Sequence, residues 1–212
     1  MTDLDFFWDP VCPWAWITSR WVTEVQRHRD LSVRWRFISL AMLNEHRTDD
    51  WYTPAYRAVH LAGLQCLRVG DAVRLAHGED AVGRLYTELG ERFHPLQRRD
   101  SFLADPKGFL AEALAAAACD PALATEADEA GHDTHIRADT DLALARAGSD
   151  VGTPIITFHP GTEREASFFG PVIARIPRGS EAVRLWEAVE TIATTSGMAE
   201  LKRSNRDRPS FD

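Results

Sequence analysis

Phe6-Phe7-Trp8-Asp9-Pro10-Val11-Cys12-Pro13-Trp14-Ala15-Trp16 decides how the rest of the 212-residue chain is read. An apolar run ends at Trp8, a proline turn follows, and Cys12 stands immediately before Pro13. Proline is favoured in the first turn of a helix, and Ile17 to Val25 continues as an amphipathic run. The stretch predicts strand, tight turn, cysteine and helix, with Cys12 at the helix N-terminus. There the first backbone N–H groups lack partners and the aligned peptide dipoles place partial positive charge. Both favour a thiolate, so Cys12 is expected to titrate well below the roughly 8.5 of a free cysteine. A drop of about two units requires about 2.7 kcal/mol. The dipole supplies only about 0.3–1 kcal/mol. Direct N–H bonds to sulfur, from residues such as Trp14 and Ala15, must supply the rest. A small buried core residue is the other reading of Cys12 taken alone.

The neighbouring segments extend the pattern. Residues 3–8 predict the first strand and 13–28 the first helix, with Trp14, Ile17, Trp21 and Val25 at helical spacing. Leu31 to Phe37 alternates strictly and places Val33, Trp35 and Phe37 on one face of a half-buried strand. Strand, helix and strand over so short a span predict a right-handed parallel unit. About a hundred residues of helical pattern follow, broken near Pro54, Gly78, Pro95, Pro106, Pro121 and Gly131. The sheet resumes at Val151 to Phe158, where Pro154 suits a bend or a cis bond. His159 to Thr162 turns the chain into Ala166–Pro171, an antiparallel hairpin. A last helix is expected from Ser180 as N-cap, with Val183, Trp186, Val189 and Ile192 on one face. The tail from Lys202 to Asp212 is polar, and its conformation is left open. The expected division is residues 1–42 and 149–212 as one domain, with 43–148 as a helical insertion domain.

Cys-Pro-Trp after a strand resembles the active site of the thioredoxin-fold, DsbA-like oxidoreductases. Their usual motif is Cys-Pro-x-Cys, whereas this chain has Ala15 at the fourth place. Phe7 to Trp21 most resembles the actinobacterial mycothiol-dependent reductases of that group, also called nitroreductases. The resemblance implies an α/β, thioredoxin-like fold with a large all-helical insertion domain. It implies that Asn44, Tyr56 and His94 line a substrate cleft with Pro13, Trp14 and Ala15. It further implies a cis bond between Thr153 and Pro154 opposite Cys12, with Thr153 offering backbone groups to substrate. Without the resemblance, Asn44 reads as a turn residue and His94 as a helix-end histidine beside Pro95.

Composition narrows the partners. A net charge of −8 argues against nucleic acid or an anionic membrane surface. Residues 1–5 lack a basic n-region and an apolar signal core, and no apolar run approaches the roughly 20 residues that span a bilayer. The expected location is cytoplasmic. The three cysteines, Cys12, Cys66 and Cys119, are widely spaced, and the last two read as core thiols within helical patterns. His132 and His135 have metal-ligand spacing, but without a third ligand they read as part of a solvated acidic face. No metal is expected.

Ala15 shapes the chemistry. A dithiol enzyme releases its mixed disulfide by attack from the second cysteine. Alanine cannot attack, so Cys12 would form a mixed disulfide that an external thiol resolves. By resemblance that electron donor is mycothiol, a low-molecular-weight thiol, and the acceptor is a disulfide or a small electrophilic or nitro compound. Three alternatives stay open. Ala15 could mark a trapped form of a Cys-Pro-Trp-Cys enzyme. The fold is shared with kappa-class glutathione transferases and hydroxychromene-carboxylate isomerases, which need no protein cysteine. The third is a thioredoxin-like binding module without chemistry. A homodimer is left open as well.

Overall fold

A computed structural model describes residues 2–212 of the chain. Strand β1 (Leu4–Trp8) is buried along its whole length because it lies inside the sheet. Strand β2 (Val33–Phe37) pairs with it in parallel, with Phe6 opposite Trp35. Strand β3 (Ile155–Phe158) pairs on its other side antiparallel, with Phe6 opposite Ile156. Strand β4 (Ala166–Phe169) closes the order β2-β1-β3-β4. The sheet resumes at Ile155 rather than Val151, because residues 151–154 form a loop beside Cys12.

Side chains of a strand alternate between faces. Leu4, Phe6 and Trp8 therefore share one core with Trp16, Ile17, Trp21 and Val25 of helix α1 (Pro13–Gln26). Trp186 of the last helix, α8 (Gly179–Thr194), joins them. Phe7 faces the other way, toward Ile38, Ile155 and Ala143 of helix α7 (Asp133–Ala147). Asp5 shares that face and is fully buried. Arg34 and Arg36 of β2 and Arg146 of α7 donate to its carboxylate at 2.7, 3.0 and 2.9 Å. Those three cations hold its pKa below the usual carboxylate range against the upward push of burial.

The residues between the sheet halves are helical: α2 (Leu40–Leu43), α3 (Pro54–His77), α4 (Glu79–Phe93), α5 (Arg99–Ala104) and α6 (Pro106–Ala116). Two 3₁₀ segments, Pro121–Asp128 and Ala130–His132, lead into α7. Cys66 and Cys119 are buried in the helical core, as their apolar surroundings predict. Helix α4 lies directly on α1. A Cβ at Gly90 would overlap the ring of Trp16, so only glycine permits this approach.

Two expectations are corrected. Ser180 does not cap α8, which starts one residue earlier. Arg178 occupies the cap position, and Glu24 of α1 accepts the Gly179 N–H at 3.0 Å, doing the work of a capping side chain. That N–H, with His28, Arg27 and Arg178 nearby, holds the Glu24 carboxyl down to about 2 despite some burial. His132 and His135 do not lie on a solvated face alone. His135 of α7 and His132, at its N-cap, each place Nδ1 at 2.8 Å from Oδ2 of Asp71, a buried residue of α3, and so clip the start of α7 to α3. No helix among the described residues is long and apolar enough to cross a membrane.

Candidate active site

The turn after β1 is built on Asp9. Its buried carboxylate accepts the Val11 N–H at 3.0 Å and the Leu40 N–H at 2.8 Å, while its carbonyl accepts the Cys12 N–H at 3.1 Å. Two separate segments are thereby held to one side chain. A Cβ at Gly63 of α3 would come within 2.6 Å of Asp9 Oδ1, so glycine is what lets the carboxyl fit. Burial raises the Asp9 pKa to about 7, against the pull of the Leu40 and Val11 N–H groups.

Cys12 is the N-cap of α1, with extended backbone at φ −83 and ψ 112, and Pro13 fills the first helical position. The Ala15 N–H donates to Sγ at 3.5 Å, and Sγ–H donates to the Thr153 carbonyl at 3.5 Å. The Thr153–Pro154 bond is cis. The Thr153 hydroxyl donates to the Phe7 carbonyl at 3.2 Å and ties this loop to β1.

The expected low pKa of Cys12 is overturned. Burial pushes the thiol up to about 12; the Asp9 charge adds to the rise, and the Ala15 and Trp14 N–H groups only reduce it. Only 6% of the residue is exposed, and its proton is held by the Thr153 carbonyl. In this closed arrangement Cys12 is a thiol at neutral pH. The donors foreseen from the sequence are in place, but desolvation outweighs them.

The other expected residues divide. Pro13, Trp14 and Ala15 form the first turn of α1 with Cys12 as its cap, and Thr153 meets the sulfur. His94 caps the end of α4, and its Nε2–H donates to the Pro10 carbonyl at 2.9 Å, two residues before Cys12. Its ring stacks on Trp16 at 6.0 Å, and burial lowers its pKa to about 4, leaving it neutral. Asn44 is buried at the end of α2, where its side-chain N–H donates to the Leu40 carbonyl at 2.8 Å. Tyr56 stands apart from these, in the first turn of α3 and 50% exposed. It packs edge-on against Trp51, Tyr52 and His60. A surface cavity of about 390 Å³, lined by Asp3, Arg29, Phe158, His159, Trp186 and Glu190, lies at the opposite end of β1 from Cys12.

Sequence reasoning did not single out Asp9 and Gly63. A glycine inside a long helical pattern is disfavoured by about 1 kcal/mol against alanine, and that anomaly at Gly63 was the available signal.

The model of the Rv2466c-like family, described as mycothiol-dependent nitroreductase Rv2466c, matches residues 11–203. The chain belongs to this family. The resemblance carried by Phe7 to Trp21 is thus borne out. Among relatives, the uncharacterized protein Rv2286c of Mycobacterium tuberculosis is 31% identical over 210 residues, spanning 96% of this chain and 82% of its own. The cytosolic disulfide reductase DsbM of Pseudomonas aeruginosa has a similar structure, with TM-score 0.58 and 15% identity over 88% of this chain and 98% of its own. A DsbM structure with GSH has the same TM-score. A probable DsbA oxidoreductase from Streptomyces coelicolor aligns with TM-score 0.55 and 16% identity, covering 94% of this chain and 92% of its own. The fold is therefore α/β, thioredoxin-like and of the DsbA type. As an Rv2466c-like family member, the chain is a thiol-dependent, thiol–disulfide oxidoreductase.

Proposed function

We propose that this enzyme runs a one-cysteine redox cycle with mycothiol as electron donor and Cys12 as the reacting group. The observation that carries the reading is Sγ set between the Ala15 N–H and the Thr153 carbonyl, with alanine where a second cysteine would stand. The Cys12 thiolate attacks a mixed disulfide between mycothiol and a substrate thiol. A new sulfur–sulfur bond forms at Cys12, the old one breaks, and the substrate leaves as a thiolate that takes up a proton. A second mycothiol thiolate attacks the Cys12 adduct, forms mycothiol disulfide and returns Cys12 as thiolate. The cycle consumes one free mycothiol and returns the substrate thiol and mycothiol disulfide. Nitro compounds are the further acceptor class that the family's name supports.

Once Sγ is in a disulfide its proton is gone, and the Thr153 carbonyl is free to accept the amide N–H of a cysteinyl thiol. His94, Trp14 and Asn44 are the further groups we assign to the cleft, with Tyr56 on its outer approach. The helical residues 43–148 are proposed as a domain that closes over the site held by residues 1–42 and 149–212. Dependence on a reducing thiol pool supports a cytoplasmic setting.

The test is release of a preformed Cys12–mycothiol disulfide followed by stopped flow. Release should be first order in added mycothiol, and Ala15→Cys should make it independent of added thiol. Turnover should vanish in Cys12→Ser. Activity that survives Cys12→Ser would sink the redox cycle in favour of thiol addition or isomerisation.

A further inference from the structure

The end of the chain returns to the active-site helix. Residues 199–208 are exposed, and then Pro209, Ser210 and Phe211 become partly buried. The Ser210 N–H donates to the Ala174 carbonyl at 2.7 Å, and the Ser210 hydroxyl bonds the Asp212 carboxylate at 3.0 Å. The Phe211 ring lies 5.5 Å from the ring of His94 and packs against the core that contains Trp16. Trp16, His94 and Phe211 form three rings in succession. The first belongs to the turn that Cys12 caps, through the Trp16 N–H to Cys12 carbonyl bond of 3.1 Å. The second is bonded to Pro10 in the loop that presents Cys12. This segment lies beyond the stretch matched by the family, which stops at residue 203.

We propose that residues 204–212 are a strap over the active site, and that Phe211 occupies the seat of a flat aromatic acceptor ring. A neutral imidazole backed by an indole offers a face for stacking and no charge, which suits an aromatic nitro compound or an aromatic disulfide. While Phe211 is seated, it covers the face of His94, whose ring is bonded to the loop that presents Cys12. Acceptor binding requires the strap to leave, which opens the His94 face next to the loop that carries Cys12. A closed form that dominates also reduces apparent affinity by the fraction of open molecules. The proposal rests on the redox reading of Cys12 only in naming the seat's occupant an acceptor.

The test compares the full chain with Phe211→Ala, Ser210→Pro and a chain ending at residue 203. Single-turnover modification of Cys12 is measured with iodoacetamide, with dithiobis(nitrobenzoate) as an aromatic disulfide, and with hydroxyethyl disulfide as an aliphatic one. All three changes should speed reaction, on the order of tenfold for the aromatic disulfide if the open form is about a tenth of the population. The gain should be larger for the aromatic disulfide than for the aliphatic one. Circular dichroism checks the fold, and the two point variants decide the matter if the shortened chain does not fold. Unchanged rates in folded variants would overturn the strap. Equal gains for both disulfides would overturn the aromatic seat. These reactions need no mycothiol, so accelerated modification without mycothiol turnover would remove the redox reading and leave the strap standing.

Discussion

At the residue scale, the sulfur of Cys12 is a contest between hydrogen bonds and desolvation. Ala15 and Trp14 pull its pKa down, but burial and the charge on Asp9 push it up to about 12. Two measurable consequences follow from the sign. The alkylation rate of Cys12 in the full chain should keep rising above the pH at which a free cysteine has levelled off. Asp9→Asn removes a negative charge, keeps one of the two N–H acceptor bonds, and should shift that profile to lower pH. A profile that did not move would show that the Asp9 charge is not felt at the sulfur. Cys12, Pro13 and Ala15 were legible because helix capping is local in sequence. The pKa was not, because the sulfur is buried against a loop 141 residues away. Arg34, Arg36 and Arg146 converge on one buried carboxylate, that of Asp5. Bidentate geometry explains the preference for arginine there.

At the scale of elements, helices α3 and α4 depend on glycines facing large partners. Gly90→Ala should destabilise the protein. Overpacking against the fixed Trp16 ring is worth about 1–3 kcal/mol. Alanine regains only about 1 kcal/mol of helix propensity. A lowered urea midpoint with an unchanged m-value is the expected result. The clip between α3 and α7 gives a pH dependence. Burial pulls His132 down, but the carboxylates of Asp71 and Glu126 outweigh it and hold its pKa above the usual value. A raised histidine pKa gives stability that is full below the unfolded value and lost as pH rises through the folded one. The melting temperature should therefore fall from pH 6.5 upward, and His132→Gln should flatten that slope. The helices and strands themselves were readable from periodicity. The clip was not, because a spacing of three residues is silent about a carboxylate sixty residues earlier. Glu24 taking over the cap of α8 was hidden for the same reason.

At the scale of the whole molecule, one chain of charges crosses the fold. Asp5 of β1 meets Arg36, Arg36 meets Asp139 of α7 at 2.6 Å, and Arg74 of α3 joins Asp139 to Asp71. Removing one partner of such a buried network leaves an unpaired charge, which typically costs about 3–5 kcal/mol. Asp139→Ala should therefore unfold the protein at markedly lower temperature than a surface substitution does, and an equal melting temperature would refute the network's importance.

The strand order β2-β1-β3-β4 has a further consequence, for synthesis. Strand β1 leaves the ribosome long before its second neighbour, β3, which begins only at Ile155. Until β3 is made, Leu4-Asp5-Phe6-Phe7-Trp8, apolar at every position but Asp5, has an open edge, the kind of template on which nascent chains associate. Fragments that stop before β3 should accumulate as aggregates, while the completed chain should refold from denaturant slowly, at a rate set by closing that long loop.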